Sequence, residues 1–248
     1  MLNMLREIRK ALKENNFLYG DGVYYRVINN MFQNVEIRHL RSRKEYRINF
    51  GAMPLCAGIK DLNQGCLLEL SDFYGLDFPE WCDGWSYLYG DNMRKQACEE
   101  AVKYSIQRYL LPFMENCKSS NIAYVTFQKA LAVQNESRLQ WLRLHNMEDE
   151  AQKDRHYFDD TLLYLALKNC DYTFAMNAFK VRNENDLRCL RIIREKYRND
   201  EKLNSIQTNI EQRNLLMHYL DIGCYEPVQS MLYQNEKNSI DFLQNRTV

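Results

Sequence analysis

Between Leu12 and Val23 the apolar residues of this chain change their spacing, and no single class of secondary structure accommodates both patterns. Leu2, Leu5, Ile8 and Leu12 recur at intervals of three and four with charged residues between them, which places one apolar stripe along an amphipathic helix. That helix is expected to end near Asn15 and Asn16. Gly20-Asp21-Gly22 then supplies a turn, and Val23 to Ile28 is rich in β-branched and aromatic residues, so the period becomes that of a strand. Asn29-Asn30 fits a two-residue hairpin loop, because asparagine tolerates the left-handed backbone that such loops require.

The alternation continues downstream. Val35 and Ile37 fall on one face and Glu36 and Arg38 on the other. After the charged break from Arg41 to Lys44, the apolar Tyr46, Ile48 and Phe50 alternate with Glu45, Arg47 and Asn49. Three antiparallel strands with one wet face follow, with a fourth over Cys66 to Leu70. From Asn92 the period is helical again, with Cys98, Val102, Ile106, Tyr109, Leu110 and Phe113 on one face. Pro112 interrupts that stretch, where its missing N–H and its ring predict a kink or a restart. Lys118 to Asn121 is a short polar break, and the rest reads as four to six helices joined by short loops. The expected fold is therefore α+β: a helix and an antiparallel meander of three to four strands, then a mostly helical half with helical-hairpin packing. The expected domains are 1–130 and 131–248.

An internal similarity supports the hairpins. Leu162-Leu163, Leu167 and Tyr172 match Leu215-Leu216, Leu220 and Tyr225 at a constant offset, with Ala175 opposite Val228 and Phe179 opposite Leu232. Each unit has the pattern of a helix end, a turn at Asn169-Cys170-Asp171 or Gly223-Cys224, and a second helix start.

Composition narrows the functional classes. At 248 residues the chain can bury roughly 70% of its unfolded surface without staples. Lysine plus arginine equals aspartate plus glutamate, 33 against 33, so no global field draws the molecule to nucleic acid or an anionic membrane. The charged residues from Arg6 to Glu14 break up any secretion signal, and no apolar run is long enough to span a bilayer. A cytoplasmic location is expected. None of the eight cysteines forms Cys-x-x-Cys, and several sit at apolar positions of helical patterns, which suits reduced, buried thiols.

From Leu2 to Cys117 the order of features resembles a bacterial domain family without an assigned function. The resemblance rests on the opening helix ending in Asn16-Phe17, the Val23-Tyr24-Tyr25-Arg26 strand, the Tyr46-Arg47-Ile48-Asn49-Phe50-Gly51 strand and Leu111-Pro112-Phe113 in a helix. It implies a stand-alone or toxin-associated accessory protein with a protective, immunity-like binding role. It carries no site residues over.

The most unusual segment lies between Lys60 and Arg94, which contains no lysine or arginine. Asp72, Asp77, Glu80, Asp83 and Asp91 alternate there with Phe73, Tyr74, Phe78, Trp81, Trp85, Tyr87 and Tyr89, and Gly75, Pro79, Gly84 and Gly90 predict loops or turns. Such a segment suits a basic protein surface: the rings supply contact area at low entropic cost and the carboxylates steer a cationic partner. The plainer account is that the rings cover an open sheet end while the carboxylates solvate the loop. The candidate partner-binding residues are Tyr74, Asp77, Trp81, Asp83, Trp85 and Tyr87.

Other constellations carry less. Arg38, His39, Arg41, Arg43, Lys44 and Arg47 could hold phosphates, but charges on strand edges also prevent aggregation. His156 and Asp160 share a helix face, with Asp154 and Asp159 nearby, yet no third ligand follows from spacing. Histidines 39, 145 and 218 stand apart from any base and nucleophile arrangement, and no nucleophile elbow, phosphate loop, dinucleotide fingerprint or His-Glu-x-x-His motif is present. The expectation is a protein-binding factor of the immunity or antitoxin kind, with no catalytic residue, metal or cofactor assigned. The alternatives are a metal-assisted hydrolase or nucleic-acid-processing enzyme around His156, and a helical scaffold.

Overall fold

The computed structural model describes residues 2–40, 45–65, 68–71, 73, 87–88, 100–144, 160–196 and 200–246. Helix α1 spans Leu2–Glu14 and ends as its pattern predicts. Asn16 takes a φ of 62°, and the N–H groups of Asn16 and Phe17 bond back to the carbonyls of Lys13 and Leu12. This is a Schellman cap, in which a left-handed residue lets the chain satisfy the last carbonyls and turn away.

Strands β1 (Leu18–Gly20), β2 (Val23–Ile28), β3 (Met31–Leu40) and β4 (Glu45–Pro54) form an antiparallel meander. Its two tight turns are those expected at Asp21-Gly22 and Asn29-Asn30. All four residues have positive φ, and the registers Gly20↔Val23 and Ile28↔Met31 close two-residue loops. β5 (Leu68–Glu69) lies within the expected fourth strand, while β1 and β6 (Tyr87–Leu88) extend the sheet to six strands.

The two faces of the sheet have different covers. On the first face Tyr24, Val35, Ile48 and Phe50 pack against Ile8 and Leu12 of α1 and against Leu110, Phe113, Met114 and Phe127 from the helices that follow. The expectation of one wet face holds only for half of the second. Val23, Tyr25, Phe32 and Met53 are buried there under Leu55, Ile59, Leu62 and Leu243, and Asn34 donates to the carbonyls of Leu62 (2.8 Å) and Gln64 (2.9 Å). Residues 55–65 fold back over the sheet as a 3-10 turn and loop, a cover without sequence period. Glu36, Arg38, Arg47 and Asn49 remain at the uncovered end, none of them buried.

The kink or restart expected at Pro112 takes the form of a π-helical turn before it and a new α-helical start at Leu111. Residues 100–105 are α-helical, Ile106–Leu110 form a π-helix, and α2 (Leu111–Asn116) carries the proline in its first turn. The Leu111 N–H reaches the Ile106 carbonyl, and this wider turn makes room for a ring that cannot donate. The end of α2 is tied to the sheet by buried Gln33, whose Nε2 donates to the carbonyls of Met114 (2.7 Å) and Cys117 (3.0 Å).

The remaining helices are α3 (Ser120–Leu144), α4 (Asp160–Lys168), α5 (Tyr172–Lys196), α6 (Asp200–Asp221) and α7 (Glu226–Gln244). Residue 130 lies inside α3. Helix α4 is apolar on every side and contributes to two cores at once. Leu162 and Leu165 join the first-face core, while Leu163, Ala166 and Leu167 join a helical core with Ala175, Phe179, Leu220, Val228 and Leu232. Helix α7 returns to the sheet, where the Ser239 hydroxyl accepts from the Ile59 N–H (2.6 Å) and donates to the Leu55 carbonyl (2.7 Å). Among the described residues no helix is long and apolar enough to cross a membrane.

The internal similarity corresponds to matching turns. In α4–α5 the N–H groups of Asn169, Cys170 and Asp171 bond to the carbonyls of Leu165, Leu167 and Ala166. In α6–α7 those of Ile222, Gly223 and Cys224 bond to His218, Leu220 and Tyr219. Cys170 and Gly223 both occupy the left-handed region, at φ 59° and 70°. A β-carbon there costs about 1–2 kcal/mol. Gly223→Ala should therefore lower unfolding stability by about 1 kcal/mol while Cys170→Gly raises it by a similar amount, measured by urea denaturation. Effects of the same sign for the two changes would mean that the turns are not equivalent.

Candidate functional site

The acidic and aromatic segment is fixed to the sheet at both ends. β5 pairs with β4 through Phe50↔Leu68 and Asn49↔Glu69, and β6 pairs with the same strand through Tyr46↔Tyr87 and Glu45↔Leu88. Both run antiparallel to β4 and lie on its free edge, since β3 takes the other. They are two pieces of one edge strand. Only Arg47 and Ile48 of β4 separate the two paired positions, whereas residues 70–86 connect them in sequence.

Of the six candidate residues, Tyr87 is the one within the described structure, in β6 directly opposite Tyr46. Tyr74, Asp77, Trp81, Asp83 and Trp85 lie outside the described residues. At the departure point Leu70 and Ser71 are buried, and Phe73 packs at ring-centroid distances of 5.6 Å from Phe50 and 5.9 Å from Tyr109. The excursion thus leaves from a packed base.

Arg38 and Arg47 are direct cross-strand neighbours on the second face. Two like charges opposite each other repel, by a few tenths of a kcal/mol on a solvated sheet, and Glu36 offsets this by bonding Arg38 Nε at 2.7 Å. His39 pairs with Tyr46 in the β3–β4 register. Arg41, Arg43 and Lys44 lie outside the described residues.

The metal-site expectation is not reached by the described structure. His156, Asp154 and Asp159 lie outside it, Asp160 opens α4, and among the described residues no group of three or more histidine, cysteine or acidic side chains could hold a metal ion. His145 is also outside, and His218 lies on α6 beside Tyr219.

Two further polar features are structural. The Tyr124 hydroxyl donates to Asp171 Oδ2 (2.8 Å), while Asp171 Oδ1 accepts the Phe174 N–H (3.0 Å) and caps α5. Burial, then the bond and charge of Asp171, raise the tyrosine's pKa and keep the phenol neutral. On α5 and α6, Arg213 Nε donates to Asn183 Oδ1 (2.8 Å), Asn183 Nδ2 donates to Asn214 Oδ1 (2.8 Å) and Arg213 pairs with Asp186. That seam fixes the register of the two helices. Neither the edge pairing of Tyr87-Leu88 nor the Gln33 tether has a sequence signal: one is a two-residue strand, the other a polar residue at an apolar position.

The chain matches no known protein family, no curated protein and no solved structure.

Cysteine chemistry gives a direct check on this picture. Burial pushes the thiols of Cys56 and Cys117 up to about 12, whereas Cys170, Cys189 and Cys224 are exposed. Since the thiolate is the nucleophile, iodoacetamide at pH 8 should modify Cys170, Cys189 and Cys224 of the native protein and spare Cys56 and Cys117 until denaturant is added. Mass mapping reads the result. The sign for stability follows: the folded pKa values lie above the unfolded value of 9.0, so the contribution is intact below about pH 9 and is lost as the pH rises toward 12.

Proposed function

We propose that this chain is a protein-binding factor of the immunity or antitoxin kind, which neutralises a basic partner protein by covering its surface. The observation that carries the reading is the tethering of the segment 70–86 by β5 and β6 to one edge of β4. A segment whose two ends are paired in register to a packed sheet has less chain entropy to lose on binding. The sequence of the excursion supplies the chemistry. Trp81, Trp85, Tyr74 and Tyr87 offer contact area, Asp77 and Asp83 complement a cationic surface, and no lysine or arginine opposes them.

The overall charge balance gives this local field its significance. With 33 cations and 33 anions, the molecule has no net attraction for a basic partner, so steering comes from the acidic segment. A cytoplasmic site of action belongs to the same proposal. A second reading, a helical scaffold, is favoured by the matching turns at Cys170 and Gly223. Stacked hairpins of that kind form extended surfaces in repeat proteins, and the two readings are compatible.

The test is capture of the partner from cells of the native host on immobilised protein, with the Trp81→Ala, Trp85→Ala double variant in parallel. The proposal expects a basic protein on the unmodified chain and a loss of about 2 kcal/mol or more of affinity, roughly thirtyfold, in the variant. A folded variant that retains the partner at unchanged affinity would remove the segment from consideration.

A further inference from the structure

The opposite edge of the sheet contains a gap. β1 begins at Leu18 opposite Tyr25, so β2 continues past it through Arg26, Val27 and Ile28 with β3 alone as a neighbour. The Ile28↔Met31 pair closes the hairpin, and antiparallel alternation then directs the backbone groups of Arg26 and Ile28 at β3 and those of Val27 into the gap. A cleft of about 420 Å³ lies here, and its lining includes Asn16, Leu18, Arg26, Val27, Ile240 and Leu243. The volume is within the range of about 300–1,000 Å³ that small ligands occupy.

The cleft wall combines two properties. Leu18, Val27, Ile240 and Leu243 make it apolar, and Leu18 (50%), Val27 (47%) and Ile240 (36%) are exposed there. Arg26 is its one ionised lining residue among those described, and it is only 9% exposed. The partners of Arg26 are neutral. Nε donates to Gln33 Oε1 (2.8 Å), Nη1 donates to the Asn15 carbonyl (2.7 Å), and the guanidinium lies 4.6 Å from the Phe17 ring centroid. No carboxylate among the described residues pairs with it; Glu115 acts on it through space.

A buried charge without a counter-charge is costly, by several kcal/mol even after relaxation. Burial lowers the arginine's pKa accordingly, with Glu115 offsetting part of the effect. Arg26 and Val27 are adjacent in β2 and point to opposite faces, so an anion would reach the guanidinium from the cleft around the unpaired edge of β2, beside Asn15 and Asn16, and would supply the missing charge there. One cation suits one negative charge, since a doubly charged phosphate would find no second cation in the described lining. The apolar walls suit a tail.

We propose that this cleft binds a small monocarboxylic acid with an apolar tail, its carboxylate on Arg26 and its tail between Val27, Ile240 and Leu243. The acid would add a second, small-molecule site to the molecule, on the edge of the sheet away from β5 and β6.

The test is calorimetric titration of the full chain with octanoate, octan-1-ol and methyl octanoate, with backbone NMR shifts to locate the bound molecule. Octanoate should bind at a single site, about tenfold or more tighter than the alcohol or the ester, and should shift the amides of Leu18, Val27 and Ile240. Arg26→Gln should abolish that preference. Because Arg26 also holds Asn15 and Gln33, Ile240→Glu serves as a second variant. It places a repelling carboxylate at an already exposed position, and it should weaken octanoate by about tenfold at unchanged thermal stability. The proposal is overturned by equal affinity for octanoate and octan-1-ol, by unchanged binding in folded Ile240→Glu, by shifts confined to other regions, or by no binding at millimolar octanoate.

Discussion

The burial of α4 on all sides is the constraint from which the rest of the molecule follows. Leu162, Leu163, Leu165, Ala166 and Leu167 are all buried within a nine-residue helix, Asp160–Lys168. A helix this short has little stability of its own in water, and each buried leucine contributes about 1.5–3 kcal/mol on transfer from solvent. It therefore needs both of its neighbours. Leu162 and Leu165 face the core built on the first face of the sheet, and Leu163, Ala166 and Leu167 face the helical hairpins. Its end is fixed by Lys168, which pairs at 3.1 Å with Glu236 of α7, and Glu236 in turn accepts from Asn30 at the β2–β3 turn (2.8 Å). Sheet and hairpins consequently share side chains rather than a simple interface.

Much of the fold was legible because local chemistry decided it. Asn29-Asn30 and Asp21-Gly22 are residues that tolerate left-handed backbone, and they sit where two-residue hairpins need them. Tyr46, Ile48 and Phe50 alternate because one side of β4 is buried, and Pro112 forces a change in the helix that contains it. The features that escaped are tertiary. Leu55, Ile59 and Leu62 cover half of the second sheet face without any period, so the alternation of the strands alone implied solvent there. The polar stretch Lys118 to Asn121 spans the break between α2 and α3. The repeated leucines proved most informative at the turn between them, where Cys170 does what Gly223 does at greater steric cost.

The candidate sites were legible to different degrees for the same reason. Composition alone singles out the segment between Lys60 and Arg94, but its attachment to β4 depends on two short strands that sequence patterns cannot resolve. The cleft at Arg26 left no composition signal at all. Arg26 lies in a strand where alternation assigns it to a buried face, and only the shortness of β1 exposes the edge beside it. The two edges of one sheet thus differ: β5 and β6 pair along β4, whereas the edge beside β1 is apolar with one buried cation. The sheet itself is held rigid between them by α1, α2 and α3 on one face and the 55–65 loop with α7 on the other.

If α4 binds the sheet and the hairpins into one cooperative unit, native-state hydrogen exchange should show it. The amides of Leu163 to Leu167 should exchange only through global unfolding, at the same free energy as the slowest amides of β3 and β4, and with the same denaturant dependence. Exchange of the α4 amides at a clearly lower free energy, together with α5 to α7 and independently of the sheet, would contradict the account.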